Sequence, residues 1–355
     1  MSEPLPPGAA IGILGGGQLG RMLSVAASRL GYRCHVFDPT PAPPAGHVAE
    51  MVTTADWVDA AALRAFATSV DVITFEFENI PTATLDILES LRPVRPGRQA
   101  LAVSQDRRDE KAFLSGLGLK VAPFAPVVDA ESLAQALAQI GTPAILKTAR
   151  LGYDGKGQAR IDGQGDAAGA LTAMQGAPAV LEGFVEFARE VSVIVARGLG
   201  GEVVCFEPGE NVHADGILRK TMVPAQLTPG QRVDAVLMAG QIVNALDYVG
   251  VMGVEFFVTD AGLVVNEIAP RVHNSGHWTQ AGCSVDQFEQ HIRAVAGLPL
   301  GNGARHADVV MENLIGEEVA RLPDLLRESD VSIHLYGKTE ARPGRKMGHV
   351  NRVIR

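Results

Sequence analysis

Gly253–Ile268 reads GVEFFVTDAGLVVNEI, two runs rich in β-branched and aromatic residues on either side of Asp260-Ala261-Gly262. Turn residues between two such runs spell a β-hairpin. A three-residue loop would pair Thr259 with Leu263, Phe257 with Val265 and Glu255 with Glu267. The two carboxylates then sit directly opposite on one face, with Cβ atoms roughly 4.5–5.5 Å apart, where like charges repel. A hard divalent cation offsets that repulsion, and Mg²⁺ typically takes one or two carboxylates plus substrate phosphates. The alternatives are that one glutamate is protonated, or that the register slips and both point to water.

Upstream of the hairpin, Ile145–Thr148 reads as a short strand ending in Lys147, followed by Gly152-Tyr153-Asp154-Gly155-Lys156-Gly157-Gln158. Three glycines in six residues make a loop whose amides can close over phosphates, with Lys147 adding a point charge. No GxxxxGK[ST] occurs, so this is not a Walker A loop. A plain hairpin turn could use the same glycines. Val180–Val185, Glu190–Ala196 and Val203–Glu207 read as further strands, the last two joined as a hairpin across Gly198–Gly201. Residues 229–249 predict a helix with Thr228 as N-cap, Pro229 at its first position, and Val233, Val236, Leu237, Gly240 and Val243 on its apolar stripe. Residues 104–118 read as another helix. Beyond Gly301, Val331–Tyr336 is a strand signal and Arg342-Pro343-Gly344-Arg345 a turn signal.

The first hundred residues alternate strand and helix. Ala10–Leu14 is an apolar strand, Arg21–Leu30 a helix, Tyr32–Phe37 a second strand ending at Asp38, and Val70–Phe75 a third that runs into Glu76-Phe77-Glu78-Asn79. This βαβ pattern predicts a parallel sheet covered by helices. Gly15, Gly17 and Gly20 fit GxGxxG between strand and helix, with Asp38 where a ribose acid would stand. An NAD-dependent oxidoreductase is therefore one hypothesis. The other is that the loop starts a helix close to a strand end and holds some other anion on its amides.

Composition narrows the classes. The chain has 355 residues, 46% hydrophobic and 20% charged, with net charge −9. At about 100–200 residues per domain it holds two or three domains and is neither disordered nor collagen-like. Its acidity disfavours general nucleic-acid binding. No apolar run approaches the ~18–20 residues of a membrane span. The start MSEPLPPGAA lacks the pattern of a secretory signal. Cys34, Cys205 and Cys283 are scattered singly, fitting neither a disulfide framework nor a zinc site and suggesting a reduced, cytoplasmic setting.

From Gly15–Arg21 (GGGQLGR) to Arg342–His349 (RPGRKMGH), the layout resembles the ATP-grasp superfamily. Within it the chain resembles the N5-carboxyaminoimidazole ribonucleotide synthetase family of purine biosynthesis. The most specific stretches are Gly152–Gln158 (GYDGKGQ), Asp215–Arg219 (DGILR) and Asn266–Gln280 (NEIAPRVHNSGHWTQ). The resemblance implies an α/β fold, α+β in the centre: a Rossmann-like parallel-sheet domain over 1–103, an ATP-grasp domain over 104–300, and a small β-rich domain over 301–355. It implies that Arg107 and Lys147 contact ATP phosphates, with Gly152, Gly155, Lys156, Gly157 and Gln158 in the lid. Glu182, Gly183, Phe184 and Val185 correspond to the adenine-reading hinge, Glu190 to the ribose acid, and His213 and Asn266 to the nucleotide site. Glu255 and Glu267 correspond to the Mg²⁺ ligands. Tyr153, Asp154, Arg271 and His273 match catalytic positions, and Lys338 and Arg345 match substrate-phosphate positions. Gln18 and Glu76 are expected at the substrate: Glu76 and Glu78 both follow a strand at its carboxyl end, where one of them should touch the ligand, and Glu76 is the favoured one. Many ATP-grasp ligases end the metal strand Glu-x-Asn, whereas here that position is Ala269. The ligand set of a second Mg²⁺ stays open.

The implied reaction joins bicarbonate to 5-aminoimidazole ribonucleotide with ATP, through carboxyphosphate, in a cytoplasmic homodimer. Competing readings are a formate-using purine transformylase, the NAD oxidoreductase, and an ATP-binding regulatory subunit without turnover. The acid hairpin and glycine lid predict binding of Mg-ATP and not of NADH. A fluorescence titration with micromolar NADH binding and none of Mg-ATP would refute this.

Overall fold

The computed structural model describes residues 3–152 and 155–354. The first sheet holds β1 (Ala10–Leu14), β2 (Arg33–Phe37), β3 (Met51–Thr53) and β4 (Val72–Phe75), all parallel in the order β3-β2-β1-β4. The expected βαβ pattern is therefore present. Its first helix, Gln18–Arg29, starts three residues earlier than the sequence predicts, directly on Gly17.

A second sheet, β5 (Phe124–Val127), β6 (Ala144–Thr148), β7 (Gln158–Ile161) and β8 (Ala179–Gly183), is antiparallel in the order β5-β8-β6-β7. It packs its own core of Val127, Leu133, Leu146, Ile161 and Leu181.

The third sheet has nine strands: β9 (Arg189–Arg197), β10 (Val203–Cys205), β11 (Gly209–Ala214), β12 (Ile217–Val223), β13 (Gly250–Thr259), β14 (Gly262–Ala269), β15 (Asp308–Ile315), β16 (Val331–Leu335) and β17 (Lys346–Ile354). Its order is β14-β13-β9-β11-β12-β15-β17-β16, with β10 on β9. The C-terminal strands thus extend the central sheet across the β12–β15 pairing instead of forming a sheet of their own.

Two local expectations are corrected. The helical reading of 104–118 breaks at Asp106, whose carboxylate caps Arg107–Gly116 by accepting from the Arg108 amide at 3.0 Å. In Pro229–Ala245 the buried face is Ala235, Ala239, Ile242 and Val243, while Val233 and Leu237 are exposed. Small alanines let the helix close against the sheet, and hydropathy alone does not register that. Thr228 caps it as expected, accepting from the Gln231 amide at 3.3 Å.

One core cluster joins the first sheet to the third, drawing on Ile11, Leu23, Val251, Trp278, Phe288 and Tyr336. Helix Gln287–Ala296 lies between the sheets and contributes the fully buried His291. The His291 Nδ1 accepts from the Val251 amide at 3.0 Å, so its Nε2–H donates to Thr74 Oγ1 at 2.7 Å. One ring thereby ties β4 to the start of β13. A second polar seam docks the C-terminal strands. His349 lies between His277 and His334, with ring centroids 4.6 and 4.5 Å away, and its ring nitrogens meet Tyr336 Oη at 2.8 Å and Gln280 Oε1 at 2.9 Å. Among the described residues no helix is long and apolar enough to cross a membrane.

Burial pushes His291 down to about 3. The unfolded chain takes up that proton near pH 6.5 and the folded chain does not, so stability falls as pH drops below about 6.5. One such histidine contributes up to ~1.4 kcal/mol per pH unit. Denaturant titrations at pH 7.0 and 5.5 should show a shallower pH dependence for His291→Gln than for wild type. Equal slopes would mean that the folded ring is protonated.

Candidate active site

The acid hairpin forms, by a route the sequence does not predict. Its loop is the two residues Asp260-Ala261, so Thr259 pairs with Gly262 and Phe257 with Val264. The register then shifts between Phe256 and Glu255: Phe256 faces Val265, Glu255 faces Glu267, and Asn266 is the extra residue of a β-bulge. The expected pairing of the two carboxylates is reached because loop and bulge compensate each other.

Each carboxylate meets a different environment. Arg107 Nη1 donates to Glu267 Oε2 at 3.1 Å. Burial pushes the Glu267 carboxyl up, but Arg107 and Lys147 outweigh it and hold Glu267 well below the usual carboxylate range. Glu255 has His273 Nε2 at 3.7 Å. Burial and the facing Glu267 push its carboxyl up. One carboxylate is thus held charged while its neighbour favours a proton, the usual outcome for close buried acids.

His213 Nδ1 lies 3.2 Å from a Glu190 oxygen. Burial lowers the His213 imidazole, but Glu190, Glu255 and Glu267 raise it further. Ligand atoms of Glu190, His213 and Glu255 lie within 4.8 Å of one another. This net-negative set of two carboxylates and one imidazole suits a divalent cation; Glu267 faces Glu255 across the ladder but is not one of the three.

Lys147, at the end of β6, donates to Glu182 Oε2 at 2.9 Å, and Lys111 Nζ lies 3.5 Å from the same oxygen. Glu182 is 3% exposed, and its Oε1 has no protein partner. Burial lowers the Lys147 ammonium more than Glu182 raises it. The hinge continues from β8, where the Gly183 amide donates to the Pro123 carbonyl at 2.8 Å and the Phe184 amide to that of Pro143 at 3.0 Å. Phe184 is exposed, with the Arg160 guanidinium 4.4 Å from its ring centroid, and Val185 is half-buried.

In the glycine loop, Gly152 gives its carbonyl to Arg107 Nη2 at 3.3 Å, and the Thr148 amide donates to the Gly157 carbonyl at 2.7 Å. Gly155 has φ +76°, and a Cβ there would stand 3.1 Å from Gly216 Cα, so the loop tip meets the β11–β12 turn only as glycine. Gln158 opens β7, and Lys156 lies between Gly155 and Gly157, both at positive φ. Tyr153 and Asp154 lie outside the described residues.

Arg271 leaves β14 and makes a two-pronged contact with Glu78, through Nε to Oε2 and Nη2 to Oε1, the second at 3.1 Å. His273 Nδ1 meets Ser275 Oγ at 2.8 Å, and burial followed by Arg271 pushes its ring down to about 3. Glu76 lies elsewhere than its neighbour Glu78. Its Oε1 accepts from the Gly17 amide at 2.8 Å and its Oε2 from that of Gly20 at 2.9 Å, while Asp38 Oδ2 accepts from Gly16 at 2.6 Å. The amides that a dinucleotide pyrophosphate would use are held by the protein's own carboxylates. Burial raises the Glu76 carboxyl to about 7. Gln18 is the first residue of the helix beginning there. At the C-terminus, Lys338 Nζ donates to the Lys346 carbonyl at 2.8 Å and Arg345 Nη1 to that of Glu340 at 2.9 Å. Gly337, next to Lys338, would place a Cβ 3.0 Å from His47 and 3.6 Å from Arg21. Gly337 therefore stands against the first domain, whereas Gly344, within the turn, has Ile217 of β12 as its nearest neighbour. The sequence reading weighs Glu78 only behind Glu76, and it does not single out Glu110 and Lys111 as site residues. The i, i+3, i+4 spacing of Arg107, Glu110 and Lys111 on one helix face carries that signal.

Three family models match in succession. They are a ribonucleotide synthetase preATP-grasp domain over residues 9–105, an ATP-grasp domain over 112–288, and a phosphoribosylaminoimidazole carboxylase C-terminal domain over 309–355. The chain is 53% identical over 352 residues to the N5-carboxyaminoimidazole ribonucleotide synthase of Brucella melitensis, covering 98% of this chain and 97% of that one. A solved ADP complex of N5-carboxyaminoimidazole ribonucleotide synthetase is 42% identical with a TM-score of 0.97, covering 100% of this chain and 94% of the other. The Aspergillus clavatus synthase in complex with ADP and 5-aminoimidazole ribonucleotide is 32% identical with a TM-score of 0.92, covering 98% and 94%.

The asymmetry of the acid pair predicts opposite stability effects. Glu255→Gln removes the carboxylate that its neighbours disfavour and should keep or raise the melting temperature. Glu267→Gln unpairs Arg107 and should lower it by a few degrees. Both should nearly abolish ADP formation. Thermal melts with an ADP-release assay check this, and full turnover in either variant would remove the pair from the metal site.

Proposed function

This chain belongs to the N5-carboxyaminoimidazole ribonucleotide synthase family of ATP-grasp ligases, and from that membership we propose how its own residues divide the work. The reaction is the ATP-dependent carboxylation of 5-aminoimidazole ribonucleotide in purine biosynthesis. The observation that carries the assignment of the site is the Glu255/Glu267 pairing beside Arg107, Lys147 and the Glu182 hinge.

Glu182, Gly183, Phe184 and Val185 receive adenine, Glu190 with His213 the ribose, and Arg107 and Lys147 the phosphates. The second sheet with Gly152–Gln158 covers them, and Asn266 belongs to the same wall. Glu255 and Glu267 would hold Mg²⁺, which would supply positive charge to the phosphates of ATP. Bicarbonate is the carboxyl donor. Hydroxide is a poor leaving group, so a bicarbonate oxygen first takes the γ-phosphoryl group, giving ADP and carboxyphosphate. The exocyclic amine then attacks that carbon, or the CO₂ released from it, phosphate leaves, and the amine gives up one proton. Arg271, fixed by Glu78, stabilises the charge on the transferring group, and His273, held neutral by burial and by Arg271, orients the carboxyl by a hydrogen bond. Tyr153 and Asp154 complete this set. The closed loop keeps water from a labile acyl phosphate.

Lys338 and Arg345 take the 5′-phosphate of the ribonucleotide, because a phosphate monoester calls for about two positive charges and an arginine fork suits its oxygens. Gln18 and Glu76 line the opposite side at the glycine loop. A cytoplasmic homodimer is the assembly we expect, which light scattering tests.

ADP release should require both the aminoimidazole ribonucleotide and bicarbonate, and release without either would point to a different ligase. Arg345→Ala should raise KM for the ribonucleotide at least tenfold, about 1.4 kcal/mol, with KM for ATP unchanged. Wild-type values for both constants would make the cationic turn a solvated face.

A further inference from the structure

β14 is the edge of the nine-stranded sheet, and an edge strand presents a row of backbone groups with no neighbouring strand. Here that row is occupied. The Val265 amide donates to the Lys120 carbonyl at 2.8 Å. The carbonyl of bulged Asn266 accepts from Lys111 Nζ at 2.5 Å, and the Ile268 amide donates to Glu110 Oε1 at 2.7 Å. Two adjacent residues of helix Arg107–Gly116 therefore grip the strand just before and just after Glu267, while Arg107 of the same helix meets the Glu267 carboxylate itself.

Both grips are costly placements. Lys111 is 1% exposed and Glu110 is 2% exposed. A buried ammonium is tolerated only when paired, and apolar residues of similar volume often serve stability as well or better. The bulge is the feature that needs them. Side chains alternate faces along a strand, so a one-residue change of register sends Glu267 to the opposite face. Without a partner on its carbonyl, the extra residue leaves a buried acceptor unsatisfied.

We propose that Lys111 and Glu110 are positioning residues for the carboxylate pair: by holding the Asn266 bulge they keep Glu267 opposite Glu255. Neither reaches the reacting atoms. Lys111 also lies against Glu182, so the same ammonium links the metal strand to the adenine hinge. The proposal rests on the reading that Glu255 and Glu267 bind Mg²⁺.

Its test uses the full-length enzyme with Lys111→Met and Glu110→Ala, the second in case the first does not fold. ADP release is titrated with free Mg²⁺ at saturating ATP, alongside melting temperature and hydrogen exchange of the peptide spanning 262–270. Half-saturating Mg²⁺ should rise at least tenfold in Lys111→Met and at least threefold in Glu110→Ala. KM for the ribonucleotide should stay within twofold, and the 262–270 peptide should exchange faster. A lowered melting temperature with an unchanged Mg²⁺ midpoint and unchanged exchange would overturn the proposal and leave a purely structural role. If wild-type turnover is indifferent to Mg²⁺, the metal reading fails instead, and the exchange of 262–270 alone decides whether the two side chains hold the bulge.

Discussion

Two carboxylates facing each other across one β-ladder constrain the rest of the molecule. Glu255 and Glu267 face each other across β13 and the edge strand β14, Glu255 largely buried and Glu267 half-buried, so water only partly screens their repulsion. The chain answers with positive groups from separate elements: Arg107 and Lys111 from one helix, Lys147 from the second sheet, Arg271 from beyond β14, and His213 from β11. Apart from Arg107 and Lys111, one helical turn from each other, none of these is near another in sequence. The fold is what converts dispersed basic residues into a single field around an acid pair, in a chain whose net charge is −9. The same concentration of positive charge suits a triphosphate whose charge grows mobile during transfer.

At the glycine loop the electrostatic arrangement is reversed. The loop's amides and the N-terminus of helix Gln18–Arg29 form an anion site. Glu76 and Asp38 fill it from within, so a pattern that elsewhere signals a dinucleotide here closes a strand-helix junction. Gly15 and Gly17 show why glycine is needed regardless: a Cβ on either would stand 2.7 Å from a Glu76 side-chain atom. The fingerprint records close backbone approach, and close approach has more than one use.

Much of this was legible in the residues. The βαβ start, the Thr228 cap, the β9–β10 hairpin and the facing of Glu255 with Glu267 all follow from local pattern. What pattern could not supply was non-local. The Asn266 bulge depends on Lys111, 155 residues away, so nothing within the hairpin announces it. The exposed Val233 and Leu237 mislead because hydropathy ranks them above Ala235 and Ala239, whereas the sheet beneath selects for small size. Pairing of β15 with β12 joins segments separated by a long stretch of chain, and a period-2 signal gives no partner.

That last pairing explains how a terminal cationic turn comes to share a sheet with the acid pair. Because β15, β17 and β16 continue the sheet that carries β13 and β14, the Lys338–Arg345 turn is held by the same ladder as the acid pair. The buried histidine stack around His349 adds directional bonds to Tyr336 and Gln280, two residues before Lys338 and nine after Arg271. Gly337, just ahead of the turn, lies against Arg21 and His47, and Arg21 lies in the first turn of the helix that follows the glycine loop. A separate tail domain would have to be positioned by flexible contacts. A shared sheet fixes the distance between the acid pair and the C-terminal cations by backbone hydrogen bonds, and pre-set geometry of that kind is what a reaction between two bound substrates draws on.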